Sequence, residues 1–337
     1  MRKRMIIVLS VGMILLLSSC MQKESVTVYT SVDRSYSELV FKDFEEKTGI
    51  RVLPVYDTEA SKTTGLVNRL IEERKKPVAD VFWNGEFSQT LLLKEKGVLK
   101  PYTSPSSHEI PDNYKDKEGY WTSFGGRARC ILVNTDLLAE ENYPKSFEDF
   151  LSPTYDPNKI AIANPIFGTT ATHAAALFSI SGEEEATAFY QAIKDNGIRV
   201  VDGNGVVRDL VANGTLLFGM TDTDDAIGAI KDNKPVKILF PDQGPEGIGT
   251  LIIPNSAALI QGAKEEENAK IFLDYLLSLE TEQKLIEIGW TQVSTRKVDT
   301  SMPYFDVNAI KAMDISLEQI YQFVEESKTV LTEVFIR

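Results

Sequence analysis

The residues of this chain that could do chemistry fall in separate polar clusters. They are Ser31 with Asp33, then Thr58, Glu59 and Ser61, then Glu86, Arg127, Thr169 with Thr170, and the run Thr221, Asp222, Thr223, Asp224, Asp225. Asp33, Glu86, Asp222, Asp224 and Asp225 offer hard oxygen ligands able to hold a di- or trivalent metal ion, with Asp33, Glu86 and Asp224 as the metal set. Alternatively, the acidic group receives an ammonium or sugar hydroxyls while Arg127 and the helix N-terminus after Thr170 hold a phosphate or phosphonate. Each cluster also has a plainer use. Asp222 to Asp225 can serve as an N-cap with an acidic first turn, and Glu59 and Ser61 can cap the helix that follows them.

Catalytic motifs are not found. The two histidines, His108 and His173, have no metal-protease spacing, and there is no Gly-rich phosphate loop, no G-x-S-x-G elbow and no paired-cysteine metal motif. Binding is therefore the expected function, with an exported hydrolase as a remote alternative because catalytic triads need not be local in sequence. Trp83 and Trp121, close to Glu86 and Arg127 in sequence, could wall a cleft, although packing is the commoner use of such residues. His173 is expected in the helix after Thr170.

The clusters sit where strands feed helices. Val26 to Tyr29 reads as a strand, followed by Tyr36, Leu39, Val40 and Phe44 at helical spacing and by Gly49 as a stop. Val52 to Tyr56 leads through a polar loop into a helix carrying Leu66, Val67, Leu70 and Ile71, and Ala79 to Trp83 reads as a buried strand. The middle of the chain repeats this alternation, with Ile160 to Ala163 as a strand, Asn164 to Thr170 as a loop and Ala171 to Phe178 as a helix. Helices over 183–196 and 206–213 are closed by Gly197 and Gly214, and Leu216 to Met220 is a strand emptying into the acidic run. Thr250 to Ile253 and Ala257 to Ile260 read as two strands returning to the first lobe. A helix from Lys264 to Leu279 buries Ile271, Phe272, Tyr275 and Leu276, and one last helix covers Leu317 to Phe335. Alternating strands and helices of this kind make α/β units around mainly parallel sheets, which bind ligands at the carboxyl ends of their strands.

The N-terminus sets an address. Arg2, Lys3 and Arg4 precede an apolar run from Met5 to Leu17, long enough for an export signal and short of the roughly 20 residues that span a bilayer. Leu17-Ser18-Ser19-Cys20 resembles the lipobox of bacterial lipoproteins, implying a signal peptide over 1–19, lipidation of Cys20, and a tether over 20–25 that holds the protein outside the cell membrane. The formal charge of −13 grows more negative once that signal leaves, which argues against nucleic-acid partners. With Cys20 lipidated, only Cys130 remains, so no internal disulfide forms; its apolar neighbours Ile131, Leu132 and Val133 mark it as a small buried hydrophobe.

A family resemblance rests on segments in order: Val26 to Ser31, Phe41 to Ile50, Ala79 to Trp83, and Gly126-Arg127-Ala128-Arg129. Together they resemble the ferric-iron-binding class of ABC-transporter solute-binding proteins, over most of the chain from Val26 to about Ser294. The resemblance implies a two-lobed periplasmic-binding-protein-like α/β fold with crossing hinge strands, lobe 1 over 26–125 with about 251–296 and lobe 2 over 126–250 with about 297–337. It implies a monomer that closes over a ligand in the cleft and partners an ABC permease and its ATPase, with no cofactor required. The family's ferric site takes a histidine, a glutamate and two adjacent tyrosines, with an anion held by arginine, serine and asparagine. Here the histidine position falls at Asp33, the glutamate at Gly85 or Glu86, and the tyrosine pair at about Thr223 and Asp224. Arg127 matches the anion-binding arginine, Thr169 or Thr170 stands for the serine and Asn204 for the asparagine, so the anion half is better kept than the metal half. The expected ligand is a ferric or other metal ion with a synergistic anion, or else a phosphonate or phosphorylated small molecule.

Overall fold

The computed structural model describes residues 24–57, 64–299 and 302–336. The first half alternates β1 (Ser25–Thr30), α1 (Arg34–Thr48), β2 (Arg51–Tyr56), α2 (Thr64–Glu73), β3 (Val81–Asn84), α3 (Ser88–Glu95) and β4 (Leu99–Lys100). A long strand, β5 (Thr122–Asn134), leads to β6 (Ile160–Ala163), α4 (Gly168–Ser181), α5 (Glu183–Asp195), β7 (Arg199–Val201), α6 (Asn204–Ala212), β8 (Phe218–Asp222), α7 (Thr223–Lys231) and β9 (Val236–Leu239). The chain returns through β10 (Ile252–Ile260) to α8 (Glu266–Leu276), α9 (Leu279–Glu287), α10 (Leu317–Gln322) and α11 (Val324–Ile336).

These strands pair in the order β2-β1-β3-β10-β5-β8-β6-β7, with β4 on β10 and β9 on β5. Strands β1 to β3 run parallel, as do β6 to β8, which makes each end of the sheet an α/β unit. Between them β5 and β10 lie antiparallel and carry the chain from one lobe to the other. Thr122 to Ala128 of β5 pair with β10, and Arg129 to Val133 pair with β8. Side chains of β5 alternate faces, so Ile131 and Val133 enter one apolar cluster while Cys130 and Leu132 enter another. The Cys130 thiol is fully buried, and desolvation pushes it well above its ordinary range. A large cluster around Val28, Phe44, Phe82 and Phe272 fills the first lobe.

The crossing is irregular at one point. Pairing of β5 with β10 shifts register between Pro254 and Asn255, opposite Gly126 and Phe124, the mark of a β-bulge. Gly126 is required there, because a Cβ would stand 2.1 Å from the Ile253 carbonyl oxygen. The Gly125 amide donates to Glu282 Oε1 at 2.9 Å, and Glu282 is in turn held by Arg296 Nε at 2.7 Å, a buried ion pair seated against the seam.

Several elements differ from the sequence expectation. One continuous strand, β10, replaces the two strands expected on either side of Pro254 and Asn255, and the bulge falls on its partner β5, where Gly125 is the extra residue. Helix α4 begins at Gly168, which takes φ +54°, so Thr169 and Thr170 belong to its first turn instead of a loop. Thr221 and Asp222 close β8, and Thr223 opens α7. Ile271, expected in the core, is 44% exposed, and the single last helix divides into α10 and α11 at Phe323. Of the stretch 297–337, Met313, Ile315, Leu317 and Ile320 pack in the first lobe's cluster, whereas Leu331 and Val334 pack with Phe178 and Tyr190 in the second. Among the described residues, no helix is long and apolar enough to cross a membrane.

Candidate functional site

The site grows from the alternation of β5. Arg127 and Arg129 are two residues apart and so emerge on one face of the strand. The register sets Arg129 directly opposite Asp222, the last residue of β8. Arg129 is wholly buried and donates from Nη1 to Asp222 Oδ1 at 2.6 Å, Asn204 Oδ1 at 3.0 Å and Thr169 Oγ1 at 3.2 Å, and from Nη2 to Thr170 Oγ1 at 3.3 Å. The other Asp222 oxygen accepts from Thr169 Oγ1 at 2.7 Å and Asn204 Nδ2 at 3.0 Å. Arg129 therefore binds the starts of α4 and α6 and the end of β8 into one rigid floor. From the sequence Arg129 is only a member of a short motif with no part in the site, because nothing local shows its partners.

Arg127 is placed differently. Its side chain is 23% exposed, its Nε stands 3.5 Å from Asp222 Oδ2, and its Nη1 donates to the Gly85 carbonyl at 3.3 Å across the lobes. It opens on a hollow of about 370 Å³ between the lobes, lined among others by Glu86, Gly168, Thr169, Ile253 and Lys328. Helix α4 enters the same hollow at its N-terminus, where the N-cap Phe167 supplies no side-chain cap and the first turn has no acidic residue. Free amides, the positive end of the helix dipole and a guanidinium thus converge, a combination suited to an anion. A larger hollow of about 630 Å³ along residues 294–314 lacks this convergence, its Arg296 being taken by Glu282.

The remaining predicted residues divide by their surroundings. Asn204, Thr169, Thr170 and Asp222 are brought together in the floor, joined by Thr221, whose Oγ1 donates to the Asn204 carbonyl at 3.2 Å. Thr223 is buried and accepts the Ala128 amide at 3.1 Å. Ser31 accepts the Gly85 amide at 3.0 Å and donates to Asn84 Oδ1, so it braces the loop after β3. Glu86 accepts the amides of Ser88 at 2.7 Å and Gln89 at 3.0 Å, the work of a cap on α3, while it lines the hollow. Asp33 is exposed at the N-cap of α1 and makes no side-chain cap bond. Among the described residues, Asp33, Glu86 and Asp224 do not come together, and no three His, Cys, Asp or Glu side chains form a metal-holding group.

Trp83 and Trp121 are core residues, and Trp83 packs edge-on to Phe41 with ring centres 5.9 Å apart. His173 is buried against Phe147, and desolvation with the nearby Arg129 charge lowers its pKa to about 3, leaving it neutral. Thr58, Glu59, Ser61 and Cys20 lie outside the described residues. A residue the sequence does not single out is Trp290, half-buried beside Gly85; its Nε1 donates to Asn255 Oδ1 at 2.8 Å.

The acidic run has its own electrostatics. Asp224 opens toward solvent but is closely surrounded by protein atoms, and this desolvation raises its pKa; Arg127 draws it down and Asp222 pushes it further up. Asp225, 3.4 Å from Arg208, is raised from 3.8 to about 6 by desolvation and by Asp224 and Asp222. A carboxyl that binds its proton more tightly when folded stabilises the fold fully below its unfolded pKa, and that contribution is lost as pH rises through about 6. Asp225→Asn should therefore raise the melting temperature at pH 7 relative to the parent and leave it nearly unchanged at pH 4. Parallel melts at the two pH values check this; an equal shift at both would remove Asp225 as the cause.

Comparison with known proteins matches this architecture. The model of the family described as bacterial extracellular solute-binding protein fits residues 76–312. A provisionally named 2-aminoethylphosphonate-binding periplasmic protein of Salmonella typhimurium is 26% identical over 79% of this chain and 77% of its own length. The major ferric iron-binding protein of Neisseria meningitidis is 24% identical over 78% of each chain. The Trichodesmium IdiA (FutA) structure with iron and citrate superposes with a TM-score of 0.82 at 21% identity, covering 93% of this chain and 100% of that one. With two α/β lobes, strands crossing between them and a cleft at the crossing where Arg127 and Lys328 stand with Glu86 and Glu325, the chain belongs to the bacterial extracellular solute-binding proteins, the ligand-capturing partners of ABC importers.

Proposed function

We propose that this protein captures a small solute bearing a phosphonate or phosphate group in the interlobe cleft and delivers it to an ABC permease and its ATPase. The observation that carries this reading is the convergence of Arg127 with the uncapped N-terminus of α4 on one hollow. The acidic run at the end of β8 would receive the cationic or hydroxyl-bearing part of such a solute. The Salmonella relative, named for an aminophosphonate, supports the same class. The function is binding, with no catalytic step and no required cofactor. Lipidation at Cys20 would hold a monomeric receptor outside the membrane beside its permease, with the lobes divided as the sequence suggests up to about residue 296 and the C-terminal stretch shared between them.

A second reading has its own support. In it a ferric or other metal ion enters beside Arg127 together with an anion, as the name of the Neisseria relative suggests, with Asp222 and Asp224 as the nearby carboxylates, although the described side chains alone make no metal-holding group. Titration calorimetry of metal-free protein with 2-aminoethylphosphonate, alongside metal analysis of the protein as purified, separates the two. Saturable binding without metal is expected; protein that arrives loaded with iron and binds no phosphonate without it would overturn the first reading in favour of the second.

A further inference from the structure

Trp290 packs against the first lobe's core with one side and is left half-buried on the other. Trp83 and Trp121 are closed inside the first lobe, whereas Trp290 is half-buried at the turn after α9. Its one polar atom is already satisfied by Asn255, so what it has left to offer is the part of its ring that the core leaves uncovered. Tyr36, in the first turn of α1, lies beside it with ring centres 5.3 Å apart at 44°. Gly85 joins this pair to the anion site. A Cβ there would come within 3.3 Å of the Trp290 ring, so the absence of a side chain lets the indole approach the loop, and the Gly85 carbonyl accepts from Arg127. Ring, glycine and guanidinium therefore stand in succession.

We propose that Tyr36 and Trp290 form an aromatic shelf that receives the carbon-borne part of the ligand whose anionic group lies at Arg127, so that the protein selects organic phosphonates over inorganic phosphate. This rests on the anion-binding reading above. An indole and a phenol ring present apolar area to a carbon chain and a negative face to an ammonium, and neither feature helps an inorganic anion.

The test compares inorganic phosphate, methylphosphonate and 2-aminoethylphosphonate by titration calorimetry on the parent protein, Trp290→Ala, Trp290→Phe and Arg127→Ala, with acrylamide quenching of tryptophan fluorescence in parallel. Because the other two tryptophans are buried, quenching reports Trp290. Trp290→Ala is expected to weaken 2-aminoethylphosphonate about tenfold and inorganic phosphate less than twofold. Trp290→Phe should keep most of the affinity, which also serves if the alanine variant does not fold, and the aminophosphonate should shield the parent from acrylamide. If both Trp290 variants bind every ligand as the parent does, or lose all three equally, the shelf is refuted while an Arg127→Ala loss leaves the anion site standing. If the parent binds none of the three, the anion reading itself falls, and the shelf with it.

Discussion

Arg127→Ala is expected to weaken binding of an anionic ligand by about 2 kcal/mol or more, roughly 30-fold, as read by titration calorimetry. Arg127 is the guanidinium that opens on the cleft, and its standing partners are weak ones: a carbonyl at 3.3 Å and a carboxylate oxygen at 3.5 Å. A ligand anion would replace long contacts by short, charge-assisted bonds in a partly enclosed site. The fold should tolerate the change, because Asp222 keeps Arg129 as its closer cation at 2.6 Å. Unchanged affinity in a protein of unchanged melting temperature would remove Arg127 from the site.

Asp222→Ala is expected to act on the fold itself, at a cost of about 3–5 kcal/mol in chemical denaturation. The carboxylate is almost wholly buried and faces two guanidiniums, one of them with no exposed surface. Removing it leaves Arg129 charged in the interior, where a lone ion is far more costly than a missing pair. Thr169 and Asn204 would lose their acceptor at the same time. Asp222→Asn should cost less, since the amide oxygen still accepts from Arg129. A loss below about 1 kcal/mol for the alanine variant would mean that water reaches Arg129 and that the floor is not rigid.

These two residues show where the sequence is legible. The strand and helix around Val26 and Phe44 are readable because their periodicity is local, and Gly49 ends α1 in the left-handed conformation that favours glycine. Arg127 is found through a short motif. Arg129 is not, because its partner Asp222 is 93 positions away and only the antiparallel register of β5 with β8 brings them face to face. Thr169 and Thr170 are recognisable as site residues but read as a loop, because Gly168 suggests a break although it starts the helix. Pro254 and Asn255 likewise suggest two strands where β10 runs through unbroken, the irregularity being taken up by Gly125 of β5. Glu86 reads as a ligand because its role as a cap depends on loop geometry that composition does not reveal. Trp290 gives no signal at all, since its neighbours Tyr36 and Gly85 lie at the other end of the chain.

The seam made by β5 and β10 has a mechanical consequence. Two neighbouring strands, hydrogen-bonded to each other and each continuous through the crossing, resist stretching and sideways sliding, because either would break backbone pairing. Twisting about their shared direction costs much less, since sheets are naturally twisted and tolerate a range of angles. The bulge at Gly125 interrupts the regular pairing at one level, and Glu282 with Arg296 holds the backbone there. Arg127 sits on β5 within this seam, and α10 and α11, packed one in each lobe's core, tie the lobes together a second time.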